Sequence, residues 1–398
     1  MGLILLMDLD DTLLENSIER FLPAYLKALS RHLANHLKPE VLIQELLRAT
    51  DAMIANQNPL RTLEDVFDEA FYPAVGVSKE ALKPAIHSFY QDIFPSLKPL
   101  TRSKPEAIAL IEQALKKGWK VVVATNPIFP LTAIEQRLEW AGLPPKEIPF
   151  DLITSYETFH FAKPNPAYYA EILARIGWKD ETVVMVGNSM TEDIQPASQM
   201  GISTFWLSEK APDDGNTTPS AWGGFSEMYS FLNQIGVHTT QQQPLSSSGL
   251  IASLRATLAF LDTQRRTVPL ARWNQKPSSA EWCFTEIICH LRDSDREVNL
   301  PRFWKILKEE NPFLPAVNAD EWSSTRQYCD QEEPVEALEG FIQTRMEILN
   351  LLETLPPESW ERPARHAIFG PTTLRELVTF MVAHDRDHIQ QALKTLEK

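Results

Sequence analysis

Four short segments, spread between residues 3 and 193, carry side chains suited to moving a phosphoryl group. An apolar run, Leu3 to Met7, ends on Asp8-Leu9-Asp10-Asp11-Thr12. A second, Val121 to Ala124, ends on Thr125-Asn126. Lys163 follows in Phe161-Ala162-Lys163-Pro164. A third run, Val183 to Val186, ends on Gly187-Asn188-Ser189 and leads to Glu192-Asp193. A carboxylate nucleophile such as Asp8 can form an acyl-phosphate, which splits one difficult displacement into two easier ones. Carboxylate and phosphate repel each other, so the chemistry calls for a bridging cation. Magnesium prefers oxygen ligands and keeps several waters, which suits Asp8, a nearby main-chain carbonyl and an acidic loop. Asp10 points the same way as Asp8 on an extended backbone. It can protonate the leaving oxygen and then deprotonate the hydrolytic water. Thr125 can donate to a phosphoryl oxygen while Lys163 offsets charge on nucleophile and phosphate.

Such groups converge only if the strands that carry them share one edge. In an open parallel sheet the carboxyl ends of the strands border a common crevice. The N-terminal part alternates strand and helix patterns, as such a sheet requires. Pro105 suits a first helical turn, Ile108, Ile111 and Leu115 share a face, and Gly118 suits the cap. A further helix near 167–176 and strands at 182–186 and 202–206 continue the series. Residues 16–95 interrupt it with helical periodicity (Phe21, Tyr25, Leu26, Leu29; Leu42, Ile43, Leu46, Leu47) and no clear strand. The expected organisation is a core of 1–15 and 96–235 with a helical insertion, 16–95, above the crevice.

Residues 236–249, Gly-Val-His-Thr-Thr-Gln-Gln-Gln-Pro-Leu-Ser-Ser-Ser-Gly, are polar and read as a linker. Beyond it the pattern is helical throughout, with segments near 249–264, 278–310, 333–354 and 373–396, so a four-helix bundle over 250–398 is expected. Pro301 should break or kink the second. His384 and His388 lie one turn apart on one helix face, and His290 lies on an earlier helix. Packed together they can close a three-histidine site, an arrangement typical of catalytic Zn2+ and acceptable to Ni2+ or iron. Asp385, Asp387 or Asp293 are the expected acceptors for the outer ring nitrogens. His366, in a loop before Gly370, is taken as incidental.

The formal net charge of −15 argues against a general nucleic-acid or anionic-membrane binder. Three cysteines without a CxxC pair read as reduced thiols. The apolar start is short, lacks a basic leader and stops at Asp8, so neither a signal peptide nor a membrane span is expected. A cytoplasmic location follows as an expectation.

The segments DLDDT, VVVATNP, AKPNP and VGNSMTED resemble the four ordered motifs of the haloacid dehalogenase superfamily, over about residues 1–235. The resemblance implies a Rossmann-like core with a C1-type helical cap, magnesium dependence, Asp8 as nucleophile and Asp10 as general acid and base. The acid at position 10 favours phosphatase over dehalogenase. Thr125, Asn126 and Lys163 become the phosphate-binding groups. Where the fourth motif usually reads Gly-Asp, this chain has Gly187-Asn188, which removes a formal charge from the cation site; Glu192 or Asp193 can compensate. The residues around Trp282, His290, Gly370, His384 and His388 resemble the DinB-like bundles, a family that also includes thiol-dependent S-transferases and maleylpyruvate isomerases. That likeness implies a divalent metal on His290, His384 and His388. A phosphatase of a small phosphorylated metabolite is therefore expected, with a metal-binding bundle appended. Two alternatives stand: the bundle is the active part, a metal-dependent thiol transferase or isomerase beside a degenerate hydrolase, or it is a non-catalytic sensing module or one that forms a homodimer.

Overall fold

Apolar runs that alternate with amphipathic helices build a six-stranded parallel sheet. The strands of the first unit, in chain order, are β1 (Leu3–Met7), β2 (Leu14–Glu15), β3 (Arg102–Ser103), β4 (Lys120–Val123), β5 (Leu152–Ile153), β6 (Thr182–Gly187), β7 (Ser203–Leu207) and β8 (Ala221–Gly223). The sheet order is β5-β4-β1-β6-β7-β8, while β2 and β3 pair separately and antiparallel. This computed structural model describes residues 2–212, 218–235, 244–319 and 321–397. Residues 236–243 of the expected linker lie outside them. The chain divides into two compact units, Met1–Ile172 with Asp180–Pro244 and Leu173–Lys179 with Leu245–Lys398.

β1 is buried at every position, which its unbroken apolar composition requires of a central parallel strand. Register then decides where the polar ends emerge. Met7 pairs with Val123 on one side and Val186 on the other. Asp8 therefore leaves the sheet level with Ala124 and Gly187, and Thr125 and Asn188 follow one residue further on. The helix Pro105–Lys116 starts on its proline, and Gly118 follows with φ of 69°. Its buried face is Ala107, Leu110, Ile111 and Ala114, one step round from the expected stripe.

Between β2 and β3 the chain is helical: Ile18–His32, Pro39–Ile54, Leu63–Val75 and Lys79–Ser88, then tighter and wider turns to Leu100. Thr62 and Asp65 form a capping box that fixes the start of the third helix. Tyr25, Phe89 and Phe94 meet edge to face, with ring centroids 5.8–6.3 Å apart, and anchor the helical layer.

In the second unit the four long helical stretches are Ser247–Thr267, 284–308, Pro334–Glu353 and Leu374–Glu397. Three expectations need correction. The first helix begins at Ser247, with the Ser246 hydroxyl accepting from the Gly249 amide, so the linker ends earlier than expected. The second begins at Phe284, and its regular α-helix is interrupted just before Pro301, as the proline requires. A five-residue π turn, Asp295–Asn299, precedes the proline and the helix resumes at Leu300. Nor is this unit wholly helical, because Phe313–Leu314, Pro363–His366 and Gly370–Thr373 form a small sheet. His366 ends one of its strands, is buried, and accepts from the Ile368 and Phe369 amides through Nδ1. It organises the turn to Gly370. No described helix is long and apolar enough to cross a membrane.

Candidate active site and metal centre

At the rim of the sheet, Lys163 Nζ donates to Asp8 Oδ1 at 2.8 Å and to Asp193 Oδ1 at 2.6 Å. All three side chains are buried. The other oxygen of Asp193 accepts from the Ser189 amide at 2.9 Å. Both oxygens of Asp193 are thus engaged, which ties it to the lysine and the loop. A Cβ at position 187 would lie 2.1 Å from Asp193 Oδ2, so only glycine leaves room for this carboxylate.

Burial pushes the Asp8 carboxyl up to about 7; the Lys163 ammonium opposes this, while Asp193 and Asp10 add to it. For Lys163, burial alone would lower the pKa, but Asp193 and Asp8 outweigh it and hold the lysine well above its ordinary value. The lysine is therefore a fixed cation.

Asp10 is held from two sides. Asn16 Nδ2 donates to Oδ1 at 2.8 Å, and Arg137 Nη1 donates to Oδ2 at 2.6 Å. Arg137 is buried, with its guanidinium over the Phe129 ring at 4.8 Å. Sequence reasoning missed both partners. Asn16 is near enough to have been weighed as a hinge residue, whereas Arg137 is 127 residues from Asp10 and carries no local signal. Thr125 is buried, and its carbonyl accepts from Tyr168 Oη at 2.7 Å and Thr154 Oγ1 at 2.8 Å. These bonds fix the loop after β4. The Asn188 side chain reaches back toward the first loop, with Thr12 Oγ1 3.5 Å from its Oδ1, and its carbonyl accepts from Trp206 Nε1 at 2.8 Å. Burial raises the Glu192 carboxyl, with Lys163 opposing.

Asp8, Asp10, Thr125, Asn126, Asn188, Glu192 and Asp193 all line one cavity of about 1230 Å³, whose far wall is the helical insertion, with Leu22, Leu26 and Phe67 among its apolar residues. At the sheet end of the cavity four carboxylates (Asp8, Asp10, Glu192, Asp193) face two cations, Lys163 and Arg137. That excess of negative charge on oxygen donors fits an oxygen-liganded divalent ion.

The second constellation lies in the bundle. His290 Nε2 and His388 Nε2 sit 2.9 and 3.1 Å from His384 Nε2. His388 Nδ1 donates to Gln391 Oε1 at 2.9 Å, which leaves a lone pair on its Nε2. Burial, then His388 and His384, lower His290 to about 3, so it is neutral near pH 7. One nitrogen of His384 cannot offer a single lone pair to two donors, whereas three lone pairs aimed at one point suit a divalent cation. Trp282 stacks on His388 with centroids 5.6 Å apart and planes 5° from parallel. The expected carboxylate acceptors are elsewhere. Asp385 binds Arg345 and Thr257, Asp293 binds Arg292, Arg326 and Tyr328, and Asp387 is exposed. Gln391 takes the role for His388 instead.

The family model for haloacid dehalogenase-like hydrolases matches residues 4–201, and that for the DinB superfamily matches 250–392. The chain joins a haloacid dehalogenase-like hydrolase domain to a DinB superfamily domain. The phosphoserine phosphatase of Thermus thermophilus is 27% identical over 244 residues, 54% of this chain and 93% of that protein. The glyceraldehyde 3-phosphate phosphatase of Methanothermobacter thermautotrophicus is 32% identical over 113 residues, 28% of this chain and 47% of that protein. The uncharacterized protein YuaE of Bacillus subtilis is 27% identical over 140 residues, 31% of this chain and 83% of that protein. The hydrolase domain thus places this enzyme in a family whose curated relatives include phosphatases.

Proposed function

We propose that the N-terminal domain hydrolyses a small phosphoric monoester through an aspartyl-phosphate on Asp8. The observation that carries this reading is the Lys163 ammonium shared by Asp8 and Asp193, beside an Asp10 carboxylate held by Asn16 and Arg137. Asp8 Oδ attacks phosphorus while Asp10, which enters this step as the neutral acid, delivers its proton to the leaving oxygen. Asp10, now ionised, takes a proton from water, which attacks the acyl-phosphate and frees Asp8. Thr125, Asn126 and Lys163 hold the phosphoryl oxygens. Asp8, Asn188 and Glu192 would hold Mg2+, which offsets the charge of phosphate and nucleophile when bound. Asp193 serves as the anchor of Lys163. The helical insertion excludes water from the cavity during the first step and sets which substrate fits.

Phosphate release across a panel of phosphorylated metabolites, with and without Mg2+, tests this beside Asp8→Asn. Turnover by the native chain alone supports the reading. Silence across the panel, or turnover retained in Asp8→Asn, defeats it.

For the bundle, the convergent Nε2 atoms of His290, His384 and His388 favour a divalent transition metal such as Zn2+ or Ni2+. A bound metal with an open position would give that domain its own chemistry, the thiol-transferase or isomerase alternative. Metal analysis of the native chain and of His384→Ala tests occupancy; equal, near-zero metal in both leaves only a structural role.

A further inference from the structure

Cys283 and Cys329 lie apart in sequence and together in space. Cys283 is the buried N-cap of the helix Phe284–Ser294, and Cys329 is half-buried in the short helix Tyr328–Gln331. Their sulfurs and one Glu286 carboxylate oxygen all lie within 4.8 Å of one another. A disulfide needs its sulfurs at ~2.05 Å, a closure within reach of side-chain rotation when the backbones are already neighbours. Asn274 ties the two segments at this end: Cys329 Sγ donates to its carbonyl at 3.3 Å and Thr285 Oγ1 donates to its Oδ1, and the rest of the short helix is tied further along. Tyr328 Oη donates to Asp293 at 2.7 Å, and Arg292 binds Glu332 through two bonds of 2.9 and 3.0 Å.

We propose that Cys283 and Cys329 form a reversible intramolecular disulfide, with low-molecular-weight disulfides as the oxidant class. Cys329, the accessible thiol, loses its proton to solvent and attacks one sulfur of the oxidant. The oxidant's S–S bond breaks and its other half leaves as a thiolate, which takes up a proton. Cys283 then transfers its proton to the neighbouring Glu286 carboxylate and attacks Cys329 Sγ, expelling the second thiolate, which is protonated in turn. Two protein thiols are oxidised and one small disulfide is reduced to two thiols.

The surroundings assign these roles. The Glu286 amide donates to Cys283 Sγ, and the Glu286 carboxylate accepts from the Cys283 amide at 2.8 Å and from Lys276 at 2.8 Å. An amide at a helix start stabilises a developing thiolate. Burial, with Cys329 adding to it, pushes the resting Cys283 thiol well up, so it is inert until a mixed disulfide stands beside it. Cys289 is buried in the same helix and is raised to about 12 by burial, and its sulfur is not part of this cluster. The new bond would pin the 321–332 connection to the helix that carries His290, next to the Trp282 that covers His388.

The test is incubation of the reduced full-length chain with excess oxidised glutathione, followed by alkylation of remaining thiols and peptide mass mapping. The expected result is one thiol left of three and a Cys283–Cys329 peptide, reversed by dithiothreitol. Cys283→Ser should stop at a glutathione adduct on Cys329, and Cys289→Ser should still cross-link. Three free thiols after oxidation in the native chain, or a Cys329 adduct that never resolves, overturns the proposal. So does stoichiometric Zn2+ protection of both thiols that persists in His384→Ala, which would make the cluster a metal site.

Discussion

Gly187→Ala is the smallest change that tests how Lys163 is held. The backbone at Gly187 is an ordinary strand conformation, so the substitution introduces only a methyl group. That methyl would lie 2.1, 2.2 and 2.5 Å from Oδ2, Cγ and Cβ of Asp193, distances no side chain tolerates. Asp193 belongs to a buried carboxylate and cannot rotate away without releasing both Lys163 and the Ser189 amide. Breaking a buried ion pair from one side costs about 3–5 kcal/mol. Some of this is recovered here because Lys163 keeps Asp8, so about 3 kcal/mol is expected. In a unit of this size that corresponds to a fall of about 6–12 °C in its melting midpoint. The assay is thermal unfolding of the full chain by near-ultraviolet circular dichroism, with phosphate release measured in parallel. Turnover should fall with the loss of lysine placement. The cycle is completed by Asp193→Ala alone and in the Gly187→Ala background: once the carboxylate is gone, the methyl should cost under about 1 kcal/mol. Equal costs in both backgrounds would refute the steric argument, as would a Gly187→Ala protein that melts and turns over like the native one.

Arg137→Met removes one of the two groups that orient Asp10 while keeping much of the packing on Phe129; the turnover number should fall about tenfold to a hundredfold, a part of what a general acid contributes, and unchanged steady-state kinetics would contradict that role. Metal added to the chelator-stripped chain should raise the bundle's melting midpoint, by about 2.7 kcal/mol of stability at a free concentration a hundred times Kd. The gain should vanish in His384→Ala, and equal gains in both would place the metal elsewhere. Asp293 gives a pH prediction. Burial alone would raise its pKa, but bonds from Arg292, Tyr328 and Arg326 outweigh this and hold it below the usual carboxylate range. A depressed folded-state pKa means its contribution is full above the unfolded value and fades as pH falls through the folded one. Asp293→Asn should therefore lower stability near neutrality and flatten the acid limb of the urea-unfolding profile; a parallel limb displaced by a constant amount would count against the assignment.

The parts legible in the sequence are those in which one strand carries its own signal. Leu3–Met7 and Val183–Val186 are unbroken apolar runs, so a buried parallel strand follows from composition, and the chemistry follows from what stands at the next residue. Lys163 was found by its motif, yet its pairing with Asp193 as well as Asp8 was not, because that choice depends on the room left by Gly187. Asp10's partner Arg137 belongs to a helix that says nothing of where its face will land. The histidines of the bundle were legible by spacing and resemblance, while their outer partner was not. Asp385 is next to His384 in sequence, but it faces the buried Arg345, and helical periodicity alone does not say which interior group will claim it.

Pro301 shows how a local rule is met. A proline ring collides with the carbonyl four residues back and brings no amide, so a break or kink is expected. The chain answers with a wide turn. Leu300, immediately before the proline, bonds to Asp295, five residues back instead of four. The same arrangement precedes Pro95, where Phe94 bonds to Phe89, and Pro196, where Gln195 bonds to Met190. Each wide turn moves the offending carbonyl aside at the point where the ring needs space, and the helix continues. The displaced carbonyl must then find another donor. Before Pro196 it is that of Glu192, and Tyr169 Oη supplies the bond at 2.8 Å. The turn that makes room for Pro196 is therefore also the turn that presents Glu192 and Asp193 to Lys163 and the cavity. Restoring a regular helix there, by Pro196→Ala, would give residue 196 an amide to compete with Tyr169 for that carbonyl. The π turn should be lost or weakened, with the acidic loop drawn back from the lysine.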